Sequence, residues 1–267
     1  MAGKVYIVGA GPGAADLLTL RAARLLRAAT IVLHDDLVPA EVLELCPASA
    51  QIVNVGKRCG RHSRSQEQIN ALMVWHARET EAQTIVRLKS GDPAVFGRLG
   101  EELDALRRAG VEFEIVPGVT AASAAAASAK ITLTDRRAAS ALVVVTAHNC
   151  RNESLSKTVE LARSTYALYM PGPDYSKTVQ GLLEAGHEST TPCAVVSNAG
   201  RADEEVRYLT LGELASVKEI PAPAMLIVGE VAAERSPRKH EDLLSKISGE
   251  ARDPYYHDKF PSHPCLG

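Results

Sequence analysis

Short apolar runs rich in β-branched residues recur along the chain, and longer stretches with helical spacing separate them. In the first half these runs occupy 5–8, 30–33, 52–55, 84–88 and 113–116. A second series occupies 141–145, 166–169, 193–196, 206–209 and 225–228. This alternation is typical of α/β layers. We therefore predict an α/β fold with an N-terminal domain over 1–135 and a C-terminal domain over 136–235.

Two helices are predicted with some detail. Asp16 is a plausible N-cap for the first, whose apolar positions recur on one helical face at Leu18, Ala22, Leu25, Leu26 and Ala29. The alanine-rich run 121–129 predicts a second, tightly packed helix. From 236 to 267 the pattern stops and prolines become frequent, which predicts a partly disordered tail. Because this tail contains Tyr255, Tyr256 and Phe260, we hypothesise that it packs on a partner subunit.

Composition and charge exclude several classes of protein. The chain has 267 residues, with 30 Lys and Arg against 32 Asp and Glu, so no overall basic field favours nucleic acid. It has no apolar stretch of membrane-spanning length and no signal-peptide pattern at its N-terminus. The five cysteines are scattered without a CxxC pair, which indicates neither a disulfide framework nor a zinc site. We expect a soluble cytoplasmic protein with free thiols, no membrane partner and no bound metal.

Two glycine-containing loops follow predicted strands. The first, 9–14, fits the relaxed dinucleotide pattern G-x-G-x-x-G/A with Asp35 after the next strand, although Pro12 removes a backbone N–H that such a turn would use. Close packing of strand on helix explains this loop equally well. The second, 89–102, places Asp92 where it could accept hydrogen bonds from a ligand. It also puts Arg98 and Glu101 on one side of a helix. The alternative to a ligand-binding role for this segment is a turn with a surface ion pair.

A basic segment stands out in a nearly neutral chain. It contains Lys57, Arg58, Arg61, His62 and Arg64. Arginine binds carboxylates through two parallel hydrogen bonds, so a polyanionic ligand is one interpretation, and a solvated loop is the other. A metal site at 34–36 lacks companion ligands, and the chain has no G-x-S-x-G elbow for serine catalysis.

Eight ordered motifs together resemble the tetrapyrrole methylase family, over about residues 4–232. They are VYIVGAGPGAADLLTLRA, HDDLV, VGKRCG, VRLKSGDPAVFGR, IVPGVTA, YMPG, VVSNAG and IVGEV. The resemblance implies two α/β domains with the active site in the cleft between them, a homodimer, and S-adenosylmethionine as methyl donor without metal. It further implies methylation of uroporphyrinogen III at two pyrrole carbons, on rings A and B, to give precorrin-2 for siroheme or cobalamin synthesis. A later precorrin C-methyltransferase and a non-catalytic dinucleotide- or tetrapyrrole-binding module remain alternatives.

The resemblance also assigns roles to residues. Those at its donor-binding positions are Pro12, Ser90, Gly91, Asp92, Val95, Thr120, Ala121, Met170 and Ala199. Asp35 falls at a proposed proton acceptor, Lys57 at a proposed proton donor, and Arg98 and Glu101 at residues of the proton chemistry. With Arg136, the arginines Arg58, Arg61 and Arg64 would face the carboxylates of the tetrapyrrole. Departures from the commonest family pattern occur at Asp36, Ser90, Leu99, Asp135, Pro171 and Ala199.

Overall fold

The first half of the chain forms a five-stranded parallel sheet. The computed structural model describes residues 3–56, 64–79, 83–147, 163–172, 174–218 and 220–233. The strands are β1 (Lys4–Gly9), β2 (Ile31–His34), β3 (Gln51–Asn54), β4 (Thr84–Lys89) and β5 (Phe113–Val116), in the order β3-β2-β4-β1-β5. The central strands β1, β2 and β4 are buried, as expected of continuous apolar runs in a parallel sheet covered on both faces.

Helices connect these strands. They are α1 (Leu20–Arg27), α2 (Ala40–Leu43), α3 (Gln66–Glu79), α4 (Leu99–Arg108) and α5 (Ala121–Ser128). The prediction that Asp16 caps the first helix is wrong. Asp16 lies in a single 3₁₀ turn (Ala15–Leu17), and Thr19 caps α1 by accepting a hydrogen bond from the N–H of Ala22 at 3.2 Å. The hydroxyl of Thr19 satisfies one of the backbone N–H groups that every helix start leaves unpaired.

The second half forms a mixed sheet. Its strands are β6 (Ala141–Thr146), β7 (Ser164–Tyr169), β8 (Pro192–Ser197), β9 (Glu205–Thr210) and β10 (Ala224–Val228), in the order β6-β7-β10-β8-β9. Only β6 and β7 are parallel; the other described neighbours are antiparallel. Helices α6 (Tyr175–Glu184) and α7 (Leu211–Leu214) and a 3₁₀ turn (Glu230–Ala232) complete it. The α/β fold class is confirmed, whereas the domain boundary at 135 stays a prediction.

The core divides between the two faces of each sheet. In β1, Ile7 packs on the α3 and α4 side, and Val8 packs on the side that carries α1, because successive residues of a strand point to opposite faces. The alanines of α5 pack against β7, β8 and β10 of the second sheet. Small side chains let this helix approach the sheet closely, as the alanine run predicted. Within the described residues, no helix is long and apolar enough to cross a membrane.

Two of the five cysteines lie in the described part of the chain. Cys46 and Cys193 are both free thiols. Burial raises the pKa of Cys193 to about 12, so this thiol stays protonated and unreactive at neutral pH. Cys59, Cys150 and Cys265 lie outside the described residues, as does the predicted tail.

His187 makes the stability of the fold depend on pH. It is buried just after the C-terminal end of α6, with its ring edge-on to that of Tyr166 at 4.8 Å, and its Nε2 has no hydrogen-bond partner among the described residues. Burial lowers the pKa of His187 below the usual 6.5. The unfolded chain therefore binds the proton first as the pH falls. The stability is full above the unfolded pKa of 6.5 and declines as the pH falls toward the lowered folded pKa.

Thermal unfolding between about pH 8 and about pH 5 checks this prediction. The His187→Phe variant keeps an aromatic contact with Tyr166 but cannot be protonated, so its melting temperature should fall less steeply with acid than that of the wild type. His76, whose pKa burial also lowers, is present in both proteins and contributes equally to both slopes. Identical slopes for the two proteins would contradict the prediction.

Candidate functional site

A cavity of about 510 Å³ opens where the carboxyl ends of the first sheet's strands meet elements of the second sheet. Loops after β1, β2 and β4 and the start of α5 form one wall. The ends of β7 and β8, the start of α6, and the segment leading into β10 form the other. Most of the lining is apolar, with a few polar groups, and the volume is typical of a small-molecule site. Ligands of open α/β sheets bind at these strand ends.

A second hollow of about 540 Å³ lies between α3 and α4. Its lining includes Asn70, Trp75, Arg78 and Arg108. Within the described part of the chain no predicted site residue lines this hollow, so the first cavity is the candidate site.

Three glycine-containing loops, which follow β1, β4 and β5, contact one another at the floor of the first cavity. Gly11 and Gly91 exchange two backbone hydrogen bonds, of 3.2 and 2.7 Å, and both have a left-handed φ, of 71° and 69°. Gly118, after β5, approaches so closely that a Cβ on it would lie 2.9 Å from the Cα of Gly9 and nearer still to the carbonyl oxygen of Gly91. The loops after β1, β4 and β5 therefore form one rigid unit.

Asp92 holds this unit from within. Its Oδ1 accepts a hydrogen bond from the N–H of Ala94 at 2.8 Å, and its Oδ2 accepts one from the N–H of Gly118 at 3.0 Å. Both carboxylate oxygens thus already bind the backbone, although each keeps a second lone pair. The side chain first expected to accept from a ligand is also a brace between two loops.

The Gly118→Ala variant tests the close approach of these loops. Its Cβ would collide with the backbone of Gly9 and Gly91, so we expect a destabilisation of about 1–3 kcal/mol or more, measured by urea unfolding. Gly181, inside α6, is the matched control because a Cβ there meets nothing within 4 Å. Gly181→Ala should stabilise the protein slightly through helix propensity. Equal stability of the Gly118→Ala variant and the wild type would show that the loops separate easily.

Tyr169 joins the end of β7 to the start of α5. Its hydroxyl hydrogen-bonds the hydroxyl of Thr120 and accepts from the N–H of Ala122 at 3.2 Å, and its ring lies 5.0 Å from that of Phe96. Phe96 and Met170 both line the cavity with positive φ, of 51° and 50°. Such strained positions concentrate at functional sites.

Asp35 brings a carboxylate to the cavity wall at the end of β2. Its side chain is 30% exposed, and its Oδ1 accepts a hydrogen bond from Nη2 of Arg87 at 2.5 Å. On the opposite wall, burial raises the pKa of Tyr175 to about 12. That phenol is therefore a neutral hydrogen-bond donor or acceptor at pH 7. Asp35 and Asp92 are the two acidic side chains in the described lining of the cavity.

The structure brings many of the predicted site residues together. All nine predicted donor-binding positions line the cavity with Asp35: Pro12, Ser90, Gly91, Asp92, Val95, Thr120, Ala121, Met170 and Ala199. Their roles stay predictions. The apolar remainder of the lining was missed. Phe96 and Tyr169 sit inside quoted motifs and could have been found, but Tyr175 and the segment 220–225 have no sequence pattern that places them here.

The other predicted residues that the structure describes do not line the cavity. Arg98 and Glu101 form an exposed ion pair of 2.7 Å at the start of α4, the arrangement offered as the alternative for that segment. Arg64 donates to the carbonyl oxygen of Asn54 at 2.7 Å, and Arg136 is exposed. Lys57, Arg58 and Arg61 lie outside the described residues. The polyanion hypothesis for the basic segment is therefore untested by the structure.

The first loop lacks the geometry that a dinucleotide site needs. Pyrophosphate binds the N-terminus of a helix that follows the glycine turn directly. Here the turn at Gly11 leads into the 3₁₀ turn, and α1 begins only at Leu20. Gly13 packs under Arg201, whose Cγ would lie 2.6 Å from a Cβ at that position. The described residues also contain no group of three or more His, Cys, Asp or Glu side chains able to hold a metal ion.

Comparison with known proteins agrees with this geometry. The family described as tetrapyrrole (corrin/porphyrin) methylases matches residues 4–215. Uroporphyrinogen-III C-methyltransferase of Paracoccus denitrificans is 42% identical over 237 residues, which cover 86% of this chain and 82% of that protein. Siroheme synthase 2 of Yersinia pestis is 44% identical over 233 residues, or 86% of this chain and 49% of that protein. The chain thus spans about half the length of the siroheme synthases it matches.

A solved structure extends the likeness to three dimensions. The crystal structure of uroporphyrin-III C-methyltransferase from Thermus thermophilus, complexed with S-adenosylhomocysteine, is 39% identical, with a TM-score of 0.70. The match covers 86% of this chain and 98% of that one. Family match, sequence identity and shared fold lead to one conclusion: the chain belongs to the tetrapyrrole methylase family.

Proposed function

We propose that this chain uses S-adenosylmethionine to methylate uroporphyrinogen III at two pyrrole carbons, on rings A and B, giving precorrin-2. One observation supports it above the others: nine positions predicted to bind the donor line a single cavity, and a carboxylate lies at its wall. Relatives named for this reaction or for siroheme synthesis point the same way. The product would serve siroheme or cobalamin synthesis.

The cavity suits the proposed donor. S-adenosylmethionine supplies an electrophilic methyl group on a sulfonium. The space between Gly91 and the start of α5 is open. A Cβ added to Gly91 would have the backbone nitrogen of Ala121 as its nearest neighbour, at 4.0 Å. The side chain that glycine lacks leaves room for a ligand between loop and helix. Ser90, Thr120 and the backbone of the joined loops offer polar contacts within an otherwise apolar lining.

The chain's own residues would bind and orient the two substrates. Asp35 would accept the one proton that each methylated pyrrole releases. Lys57, predicted as a proton donor, lies outside the described residues, and its cation would join the arginines that face the carboxylates. Uroporphyrinogen III carries eight carboxylates, for which Arg58, Arg61, Arg64, Arg98 and Arg136 would form a cationic wall, with Glu101 orienting Arg98 through their ion pair. Holding the acceptor carbon in line with the methyl group supplies most of the rate enhancement in such a reaction.

Anaerobic incubation with S-adenosylmethionine and uroporphyrinogen III tests the proposal, with oxidised products read by mass. We expect a gain of two methyl groups. No gain, together with binding of S-adenosylhomocysteine, would overturn the substrate and point to a later precorrin. Binding of NAD without S-adenosylhomocysteine would overturn the whole assignment in favour of a non-catalytic binding module.

A matched pair of variants locates the donor. Ala121→Leu would push side-chain atoms into the cavity at the start of α5 and should abolish binding of S-adenosylhomocysteine in calorimetric titration. Ala127→Leu makes the same change at an exposed position of the same helix and should bind normally. Normal binding by both variants would place the donor elsewhere.

We further infer a cytoplasmic homodimer whose tail, 236–267, contacts the partner subunit. Truncation at Ser236 should weaken dimerisation in sedimentation analysis. A truncated chain that dimerises and unfolds like the full chain would remove this role from the tail.

A further inference from the structure

A cluster of buried charges lies beneath the cavity, on the face of the first sheet that α3 and α4 cover. Arg87 and Lys89 are two residues apart on β4 and so point to the same face. Their side chains are only 2% and 4% exposed, and that of Glu102, on α4, is 0% exposed. Asp35, at the end of β2, completes the cluster and is its one member on the cavity lining.

The guanidinium of Arg87 is held at every nitrogen. Nε donates to Oε1 of Glu102 at 2.9 Å, and Nη1 donates to the carbonyl oxygens of Leu33 and Leu88 at 3.3 and 3.2 Å. Nη2 donates to Oδ1 of Asp35 at 2.5 Å. A planar group fixed by four acceptors cannot turn, so the carboxylate that it binds has a fixed orientation too.

Glu102 is the hub of the buried part. Its Oε1 accepts from Nζ of Lys89 at 3.0 Å and from Nε2 of Gln66 at 3.3 Å, as well as from Arg87. Two formal positive and two formal negative charges balance. Burial and the neighbouring Arg87 cation lower the pKa of Lys89. The Glu102 carboxylate raises it, but by less, so the net shift is downward.

Such a network is a poor source of stability. Ile7, Ile85 and Leu106 belong to the apolar core between the sheet and helices α3 and α4, and apolar side chains of similar volume would serve that core as well as or better than buried ion pairs. What apolar residues could not supply is a directed hydrogen bond to the one carboxylate that reaches the cavity. Asp35 alone has one side in the network and the other at the cavity wall.

We propose that Arg87 is a positioning residue: held by Glu102, which Lys89 also binds, and by two backbone carbonyl oxygens, it orients the carboxylate of Asp35 toward the cavity. The proposal rests on the proposed function in one respect: Asp35 is taken to accept the proton released in the methylation. Arg87 itself is buried and does not line the cavity. The hydrogen-bonded orientation can be observed whether or not the chain methylates a tetrapyrrole.

Arg87→Lys tests the orientation directly. Lysine keeps the positive charge but lacks the planar fork, so it cannot bind Glu102, Asp35 and the two carbonyl oxygens together. In a crystal structure of this variant the carboxylate of Asp35 should leave its wild-type orientation. An unmoved carboxylate would overturn the proposal independently of any activity.

A double-mutant cycle with Asp35→Asn separates positioning from a structural role. If the wild type is active, Arg87→Lys should lower kcat by about 10- to 100-fold, with little change in the KM for the donor or in affinity for S-adenosylhomocysteine. Because Arg87 acts through Asp35, the double variant should be no slower than Asp35→Asn alone. Multiplied losses would overturn the proposal, and inactivity of the wild type would instead reject the proposed function.

Two further variants guard against loss of folding. Arg107→Lys, at an exposed ion pair on α4, is the control for the substitution itself and should behave as wild type in every assay. If Arg87→Lys unfolds, Arg87→Met with Glu102→Gln removes one charge of each sign and restores the balance. A folded double variant of this kind that retains wild-type kcat would overturn the role of Arg87.

Discussion

The Asp35→Asn variant is expected to lose about 10²- to 10⁴-fold in kcat while it binds S-adenosylhomocysteine as tightly as the wild type. An asparagine has the size of the aspartate and can still accept the hydrogen bond from Arg87, but it cannot take up a proton. Geometry and donor binding should therefore survive while proton removal fails. Single-turnover kinetics with uroporphyrinogen III and calorimetric titration with S-adenosylhomocysteine measure the two quantities.

Asp36→Asn is the matched control. Asp36 is the next residue, with its Oδ1 accepting from Nδ2 of Asn54 at 3.1 Å, and it does not line the cavity. This variant makes the same change of charge at nearly the same place and should keep turnover within a few-fold of the wild type. Normal turnover by Asp35→Asn, with donor binding unchanged, would show that another group removes the proton.

Glu102→Ala should cause the largest loss of stability, about 3–5 kcal/mol in urea unfolding. Removing this carboxylate leaves the Arg87 and Lys89 cations buried, with Asp35 as their remaining acidic partner, and also leaves the Nε2 of Gln66 with one acceptor fewer. This loss of stability comes from the uncompensated buried charge and not from the stabilising energy of the ion pairs, because an intact buried network contributes little to the free energy of unfolding.

Asp104→Ala is the control for this variant. Asp104 lies on the same helix and forms an exposed ion pair with Arg107 at 3.5 Å. Removing an exposed pair of this kind costs about 0–1 kcal/mol, because water already solvates both charges. If Glu102→Ala lost no more stability than Asp104→Ala, the buried cluster would not be ionised as we describe it.

The strands were predictable because they are short runs rich in apolar and β-branched residues. Every strand predicted from the pattern is present, and the run 84–88 forms the buried strand β4, as expected of a sheet covered on both faces. The start of α1 was mistaken because Asp16 and Thr19 are both good caps by residue type. Only the chain's path through the 3₁₀ turn decides between them.

The shared cavity lining of the predicted donor positions could be anticipated from the sequence, whereas the charged cluster could not. Ser90, Gly91 and Asp92 belong to a local motif that a resemblance can transfer residue by residue. Arg87 and Glu102 are 15 residues apart, and on sequence alone each looks like an ordinary charge on a strand or a helix. Their partnership arises from the packing of α4 on the sheet, which no local pattern encodes. The hydrogen bond by which the Asp92 carboxylate joins two loops likewise depends on the approach of Gly118 from another strand.

The central claim is that the 510 Å³ cavity holds the methyl donor. A crystal structure of the full chain with S-adenosylhomocysteine tests it most directly. We predict density for the ligand between Gly91 and the start of α5, in contact with Met170 and Ala199 on the opposite wall. Density at any other place, with this cavity empty, would contradict the account.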